Sequence, residues 1–578
     1  MSASSAAMHS GRLLRTRGSL LHHAEQLLRA GLALAVLAGL LVAVLPAARA
    51  GTPTAGSGMV SVIVRERAGA GQGPEGQVAA LGGRVTRHLR IIGGFAATLP
   101  APAVERLRRA EGVRAVTVDA ALTPQGGKKG WDDTKDGDEH AASFDTAADL
   151  GSLQNAAKMI GADDLWAGHV TGRGVDVALV DTGVVPVAGL DGAGKVVNGP
   201  DLSFESQSPA LRYLDANGHG THMAGIIAGA DDGDFTGIAP DARLVSVKVG
   251  AASGATDVSQ VIAAIDWVVQ HRNDDGLNIR VLNLSFGTDG VQDYLLDPLT
   301  YAVEVAWRKG IVVVVAAGNR GPEATRLDDP AYDPRVLAVG ATDPNATAGT
   351  KDDLVASFSS RGNATRRVDL VAPGRSIVGL RNPGSNVDLE HPLSVVADRF
   401  TRGSGTSQAA AVTSGAVALL LQKRPTLTPD QVKALLRSTA KNLDRADPLG
   451  RGEGLLDLHK AAGAATPSAA ASAQQYPAAT GLGSLEAARG SAHVLDGDVA
   501  LEGEQDIFGN PWDRRMWSAG SWSGTSWSGG DWNGQLWSGD TWTGDGFNGR
   551  MWSGRMWSGD TWSGRMWSGR MWSSDLYS

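Results

Sequence analysis

The sequence predicts an α/β fold, a parallel sheet with helices on both faces over residues 152–462, preceded by a small α+β module over 58–122. Two observations carry the larger unit. Short β-branched runs, Val175–Val180, Ala242–Val249, Val281–Leu284 and Ile311–Ala317, are apolar at nearly every position, as strands buried on both faces must be. Segments of helical period, Asp257–Gln270 and Pro298–Lys309, separate them, the alternation that builds a parallel sheet. A third observation carries the small module, where strand and helix patterns follow in the order β-α-β-β-α-β.

From the N-terminus, Arg12, Arg15, Arg17 and Arg29 precede an uncharged stretch over 30–48, apolar from Leu32 to Leu45. It ends in Ala48-Arg49-Ala50, an A-x-A pattern, so residues 1–50 read as a secretory signal peptide. An uncleaved membrane anchor is the alternative reading of that stretch. In the small module, Val60–Val64 reads as a strand and Glu75–Leu81 as a helix. Arg84–Leu99 reads as two strands around Gly93-Gly94, Pro102–Ala110 as a helix, and Val113–Val118 as a closing strand, a ferredoxin-like order. Residues 123–151 are rich in Gly, Asp and Lys and read as an exposed linker, where proteolysis concentrates. Residues 463–504 begin with an Ala/Ser/Thr/Pro-rich stretch and read as a second linker.

Residues 505–578 are a repeat. Trp512 to Trp542 recur every fifth residue, Phe547 takes the next slot, and Trp552 to Trp572 resume the series, most units reading Trp-Ser-Gly. On an α-helix a five-residue step rotates by about 500°, which spreads the rings around the axis. On a flat strand it alternates faces. The glycines point to turns, hence a tight β-solenoid, stacked hairpins or a disordered ribbon. Repeated aromatic faces suit attachment to a cell-wall polymer or self-association, and a low-complexity disordered tail is the plain alternative.

Composition excludes several classes of function. The net charge of −8 over 578 residues gives no strong field for nucleic acid. The absence of cysteine removes disulfides, thiol nucleophiles and thiolate metal sites. No cofactor is required by any motif. Calcium is a candidate ligand of acidic loops such as Asp231-Asp232-Gly233-Asp234, although such a sequence reads first as a solvated loop.

Four local sequences carry chemistry. Val177–Val180 runs into Asp181-Thr182-Gly183, a carboxylate at a strand's carboxyl end. Asp-Thr-Gly also marks aspartic proteases, but no second copy is present, so that reading needs a homodimer. Asn217-Gly218-His219-Gly220-Thr221-His222 leads into an apolar helix and leaves backbone room around the His219 ring. His219 and His222 are spaced for one helix face, yet no Glu completes a zinc-protease pattern, and His222 reads as locally packed. Gly403-Ser404-Gly405-Thr406-Ser407 precedes the helix Val412–Leu421, so Ser407 reads either as an N-cap or as an exposed nucleophile beside free N–H groups. Ala316-Ala317-Gly318-Asn319 ends a strand, and Asn319 is either a turn residue or an amide donor to a developing anion.

Together, in the order Asp181, His219, Ser407, these segments resemble the subtilisin family over roughly 160–462. Two positions depart from its serine motif, Gln408 where Met is usual and Ala411 where Pro is usual. The resemblance implies a secreted serine endopeptidase with Asp181, His219 and Ser407 as the triad, and Asn319 with the Ser407 N–H as the oxyanion hole. It implies that Ser285, Phe286, Gly287 and Gly318 bind substrate backbone and that Tyr332 lies near the floor of the first specificity pocket. A Tyr332 floor favours small side chains, whereas nearby Asp333 favours basic ones. It implies also that 58–122 is an inhibitory propeptide, removed by autocleavage between Leu122 and Leu150. The expected partners are protein and peptide substrates, the chain's own propeptide and a cell-wall polymer. The rival expectation is a surface-attached binding protein whose protease domain is inert.

Overall fold

The computed structural model describes residues 59–118 and 144–537, apart from 68–69, 72, 90–93, 207, 209–210, 232–234 and 497–498. The expected signal peptide, most of the first linker and the repeat beyond 537 lie outside them. The chain divides into two compact units, Met1–Leu122 and Thr123–Ser578.

In the first unit β1 (Met59–Glu66), α1 (Gly73–Ala80), β2 (Arg84–Leu89), β3 (Gly94–Pro100), α2 (Val104–Arg108) and β4 (Val113–Val118) follow the expected order. The strands form an antiparallel sheet in the order β2-β3-β1-β4. Val62 and Val64 of β1, Phe95 and Leu99 of β3, Val78 of α1 and Leu107 of α2 share one core, so both helices cover the same face.

The second unit is built on a parallel sheet. Its strands β5 (Asp176–Asp181), β6 (Val196–Asp201), β7 (Arg243–Lys248), β8 (Ile279–Leu284), β9 (Val312–Ala316) and β10 (Leu337–Asp343) lie in the order β10-β9-β8-β5-β7-β6. The two-residue β11 (Leu354–Val355) is antiparallel to β10, and β12 (Leu370–Pro373) pairs with β10 in parallel. Every residue of β5 and β9 is buried, on both alternating faces. Strand order reverses at β5, between β7 on one side and β8 on the other, which is where open α/β sheets bind ligands beyond their carboxyl ends. Asp181 is the last residue of β5, and Ser285 directly follows β8.

Two helices are buried on nearly every side and are therefore central. They are α3 (His219–Ala228), buried at every residue, and α6 (Thr406–Lys423), buried through Leu421. They pack on one another. Between β7 and β8 lies α4 (Val258–His271), whose N-cap Asp257 and Gln260 form a reciprocal capping box. Between β8 and β9 lies α5 (Pro298–Arg308), capped by Asp297 with Pro298 at the first helical position.

Both domain-boundary expectations shift. Residues 144–151 are not free linker. The Phe144 ring meets Phe400 at 5.6 Å, Asp149 pairs with Arg402 at 2.5 Å, and a Cβ at Gly151 would lie 1.8 Å from the Ser376 carbonyl. Nor is 463–504 a linker. It carries α7 (Leu485–Arg489), and Leu485, Ala488, Val494 and Leu501 join the main core. Arg489, fully buried, pairs with the equally buried Asp257 at 2.7 Å. The small residues that read as flexible spacer instead permit close approach: a Cβ at Gly483 would lie 2.6 Å from the Leu296 carbonyl.

The first repeat units are also part of this core, and they form neither a solenoid nor a ribbon. Residues Arg514–Ser523 are a helix, α8, and the next units form a meander of two-residue strands, β13 (Trp527–Ser528), β14 (Asp531–Trp532) and β15 (Gln535–Leu536). The helical step separates Trp517, fully buried, from Trp522, 46% exposed. Trp517 and Trp532 each donate an indole N–H to Asp266 Oδ2 at 3.0 Å, and Trp527 donates to the Ala263 carbonyl at 2.9 Å, all on α4. Burial raises the Asp266 pKa to about 6 against the pull of these donors and of Ser521. The aromatic faces of Trp512, Trp517, Trp527, Trp532 and Trp537 are thus turned inward, away from any external polymer.

Removing an inward ring is expected to unfold the unit more readily than removing the outward one. Trp517→Ala leaves a cavity and strips a donor from a buried carboxyl, costing about 3–5 kcal/mol. Trp522→Ala loses a ring lying 4.7 Å below the Lys309 ammonium, worth about 0.5–1 kcal/mol at an exposed site. Urea unfolding of the two variants measures the difference.

Candidate active site

The histidine segment is shaped by its glycines. Gly218 caps α3 at φ 109°, a left-handed conformation, and a Cβ there would lie 2.5 Å from Ser385 Oγ. At Gly220 a Cβ would lie 2.1 Å from the Gly183 carbonyl and 3.0 Å from Asp181 Oδ1. Only glycine lets the start of α3 settle against the end of β5. The outcome is a buried pair, with His219 Nδ1 2.9 Å from Asp181 Oδ1 and 3.1 Å from Oδ2. Asp181 Oδ1 also accepts the Thr182 backbone N–H at 2.8 Å. The aspartate expected to face a second carboxyl in the aspartic-protease reading faces an imidazole instead.

A residue that sequence reasoning passed over locks this loop. Asp215 is buried and accepts Thr182 Oγ1 at 2.8 Å, Gly218 N at 2.7 Å, Asn217 N at 3.1 Å and Thr221 N at 2.8 Å. Burial pushes its pKa up, and these donors draw it back down. Thr182 Oγ1 in turn accepts the Gly220 N–H at 2.9 Å, so one carboxylate and one hydroxyl tie β5 to α3. The signal was a carboxylate four residues before His219. A side chain that binds mostly backbone N–H groups has no spacing rule to betray it.

His222 is fully buried, and a Cβ at Gly379 would lie 2.7 Å from its Nδ1. Burial, then the charge of nearby His219, pushes its pKa down to about 3, so it remains neutral at ordinary pH. Among the described residues no cluster of three or more His, Asp or Glu is placed to hold a metal. Asp231 of the acidic loop pairs with Arg399 at 2.6 Å, and residues 232–234 lie outside the described set.

Ser407 is the second residue of α6, so its N–H has no acceptor within the helix. Its Oγ is buried and hydrogen-bonds to nothing among the described residues, so the Ser407–His219 link is not a formed hydrogen bond here. Such links in unliganded sites often tighten only around substrate. Gln408 and Ala411, the two departures from the usual motif, are both buried in an unbroken α6. Asn319 follows β9, and its Oδ1 accepts Thr406 N at 2.9 Å and Thr406 Oγ1 at 3.1 Å. That fixes the amide, leaving Nδ2 buried without an acceptor among the described residues. A Cβ at Gly405 would lie 3.4 Å from this nitrogen, placing it beside the entry to α6.

The specificity residues fare differently. Ser285 is fully buried and Phe286 2% exposed, while Gly287 is partly open. Ser285 Oγ turns under α6, accepting Asn283 Nδ2 at 3.0 Å, so only the backbone of this segment is available to a peptide. Tyr332 is buried, its ring covered by the Arg326 guanidinium at 3.8 Å. Burial and the carboxyls of Asp329 and Asp297 drive its pKa upward. Asp333 has no exposed surface and its Oδ1 holds the Arg335 N–H at 2.8 Å, so it offers no charge to a basic side chain. The acid that does lie against Gly318 is Asp328: a Cβ at Gly318 would be 2.3 Å from its Oδ2. Burial raises the Asp328 pKa to about 6 despite its ion pair with Arg320.

Comparison with known proteins agrees with this geometry. Residues 172–459 match the subtilase family, and residues 40–119 match a peptidase inhibitor domain, a match that begins inside the expected signal peptide. The chain is 39% identical over 297 residues to serine protease AprX of Bacillus subtilis (strain 168), covering 50% of this chain and 66% of that protein. It is 35% identical over 308 residues to subtilisin DY of Bacillus licheniformis, covering 53% of this chain and 96% of that protein. To the minor extracellular protease Epr of Bacillus subtilis (strain 168) it is 32% identical over 315 residues, 54% of this chain and 41% of that protein. With an Asp–His pair at the sheet's switch point, a serine at the head of a buried helix and nearly all of subtilisin DY spanned, the chain belongs to the subtilase family of serine proteases and carries an inhibitor domain ahead of its protease domain.

Proposed function

We propose that the chain is a secreted endopeptidase, made as a self-inhibited precursor, that hydrolyses peptide bonds through an acyl-enzyme on Ser407. The observation that carries this reading is the buried Asp181–His219 hydrogen bond, together with two buried polar atoms that have no hydrogen-bond partner among the described residues, Ser407 Oγ and Asn319 Nδ2. Leaving such atoms unsatisfied costs about 1–3 kcal/mol each, a strain that is relieved as Ser407 Oγ bonds to the scissile carbon and the oxyanion forms. Ser407 Oγ attacks the scissile carbonyl and His219 Nε2 takes its proton. Asp181 keeps the other ring proton on Nδ1 and stabilises the imidazolium. The oxyanion is held by Asn319 Nδ2 and the Ser407 N–H, and His219 returns its proton to the leaving amine. Secretion is supported by the N-terminal pattern over 1–50 and by the extracellular relative Epr.

Labelling with a fluorophosphonate tests the reading. Wild type should label and Ser407→Ala should not; a wild type that stays unlabelled removes the peptidase. Asn319→Ala is expected to lower kcat about 10²–10³-fold with KM little changed, because its donor is used at the developing oxyanion and not by bound substrate. Steady-state hydrolysis of a chromogenic peptide measures both constants.

A further inference from the structure

Beyond the sheet edge, the chain that should receive substrate is braced by the segment that reads in sequence as linker. Ser285-Phe286-Gly287 runs from β8 to Thr288, whose backbone exchanges two 2.9 Å hydrogen bonds with Asp329. Thr288 Oγ1 donates to the Ala488 carbonyl at 2.5 Å. Next, the Asp289 carboxylate accepts both the N–H and the hydroxyl of Ser491 at 2.6 Å. The Gln292 amide accepts the Ser484 N–H at 3.0 Å and donates to the Ser484 carbonyl at 2.7 Å. Gly290 lies between them, where a Cβ would be 2.9 Å from the carbonyls of Ala487 and Ala488. The bracing segment is itself fastened to the domain by the buried Arg489–Asp257 pair.

We propose that the chain from Ser484 to Ser491 is a positioning strap for substrate, holding the strand 285–287 in register for pairing with an extended peptide through its grip on Thr288 and Asp289. A peptide added as an extra strand gains affinity from main-chain hydrogen bonds, and those depend on where the receiving backbone lies. The grip on Thr288 stands one residue beyond the open backbone of Gly287, so slack there moves the receiving edge directly. The bonds that hold Thr288 and Asp289 run to the strap and to Asp329, not to Asp181, His219 or Ser407, so the chemistry is untouched. Thr288 is accordingly a positioning residue. The strap serves long substrates: it has no effect on one that occupies only the acylation site.

The inference rests on the peptidase reading, and the test separates the two. Wild-type hydrolysis of an N-acetyl single-residue p-nitroanilide, measured first, tests the peptidase itself. The ratio of kcat/KM for an acetyl-tetrapeptide p-nitroanilide to that of the single-residue substrate then tests the strap. Thr288→Val, near-isosteric but lacking the hydroxyl that donates to Ala488 and accepts the Gly290 N–H at 3.2 Å, should lower that ratio about tenfold through KM, roughly the equilibrium weight of a buried hydrogen bond. Thr288→Ser should restore it. Ser491→Ala, an exposed change from the strap's own side, should lower the ratio in the same direction but less. A ratio unchanged in Thr288→Val, whether both substrates suffer equally or neither does, overturns the strap.

Discussion

Ser407→Ala is expected to reduce kcat by about 10⁶-fold, since loss of the nucleophile leaves only oxyanion stabilisation and binding to accelerate attack by water. Folding should survive the change. Ser407 Oγ makes no hydrogen bond among the described residues, so its removal strands no partner, and alanine is the better helix former at the head of α6. The same variant tests self-processing. Expressed in a host lacking other proteases, it should accumulate as the unprocessed precursor, whereas wild type should be cut N-terminal to Phe144. The cut belongs there because residues 144–150 are held by the Phe144–Phe400 contact, the Asp149–Arg402 pair and hydrogen bonds from Asn155 Nδ2 to the carbonyls of Ala147 and Asp149. A protease needs chain it can draw out extended. N-terminal sequencing and intact mass decide it. An Ser407→Ala product already processed would remove self-cleavage and leave the hydrolytic reading standing.

What the sequence made legible follows from how its signals arise. The strands of the sheet could be read because burial on both faces forces apolar residues at every position, and β5 and β9 are buried throughout. The Asp181 and His219 segments could be read because close packing between them leaves glycine no substitute, as at Gly218 and Gly220. Illegible were contacts whose chemistry is generic. Asp215 binds backbone N–H groups, which any loop possesses. The 463–504 segment packs through small residues whose composition is that of a spacer, and the buried Arg489 that anchors it looks no different in sequence from an exposed arginine. The tryptophan period disclosed order but not its form. One step of five places Trp517 inward and Trp522 outward on a helix, and the next pairs Trp527 with Trp532 across a turn. Burial around the expected pocket was equally illegible, since position along the chain does not say that Tyr332 and Asp333 are covered or that Asp328 is an acid lying against Gly318.

Asp181→Asn is expected to cost about 10⁴-fold in kcat while leaving KM nearly unchanged. The geometry gives the reason. Asp181 Oδ1 accepts the Thr182 N–H at 2.8 Å and His219 Nδ1 at 2.9 Å, with the Thr182 hydroxyl more distant at 3.3 Å. In asparagine one of the two oxygens becomes an NH₂ group. The remaining oxygen stays with the backbone N–H, and the amide presents its own hydrogens to Nδ1. The imidazole then carries its proton on Nε2, the nitrogen that must accept from Ser407, and the base is blocked without any displacement of the ring. The loop should hold, because Asp215, Thr182 Oγ1 and the Gly220 N–H form their bonds independently of the altered carboxylate. Near-UV circular dichroism and an unchanged unfolding midpoint check that. A double variant distinguishes this mechanism from a second, unrelated defect. If Asp181 acts only by preparing His219 to take the serine proton, Asp181→Asn combined with Ser407→Ala should be no slower than Ser407→Ala alone, since with no hydroxyl to deprotonate the tautomer is irrelevant. Additive losses in the double variant would place Asp181 in some role apart from the triad.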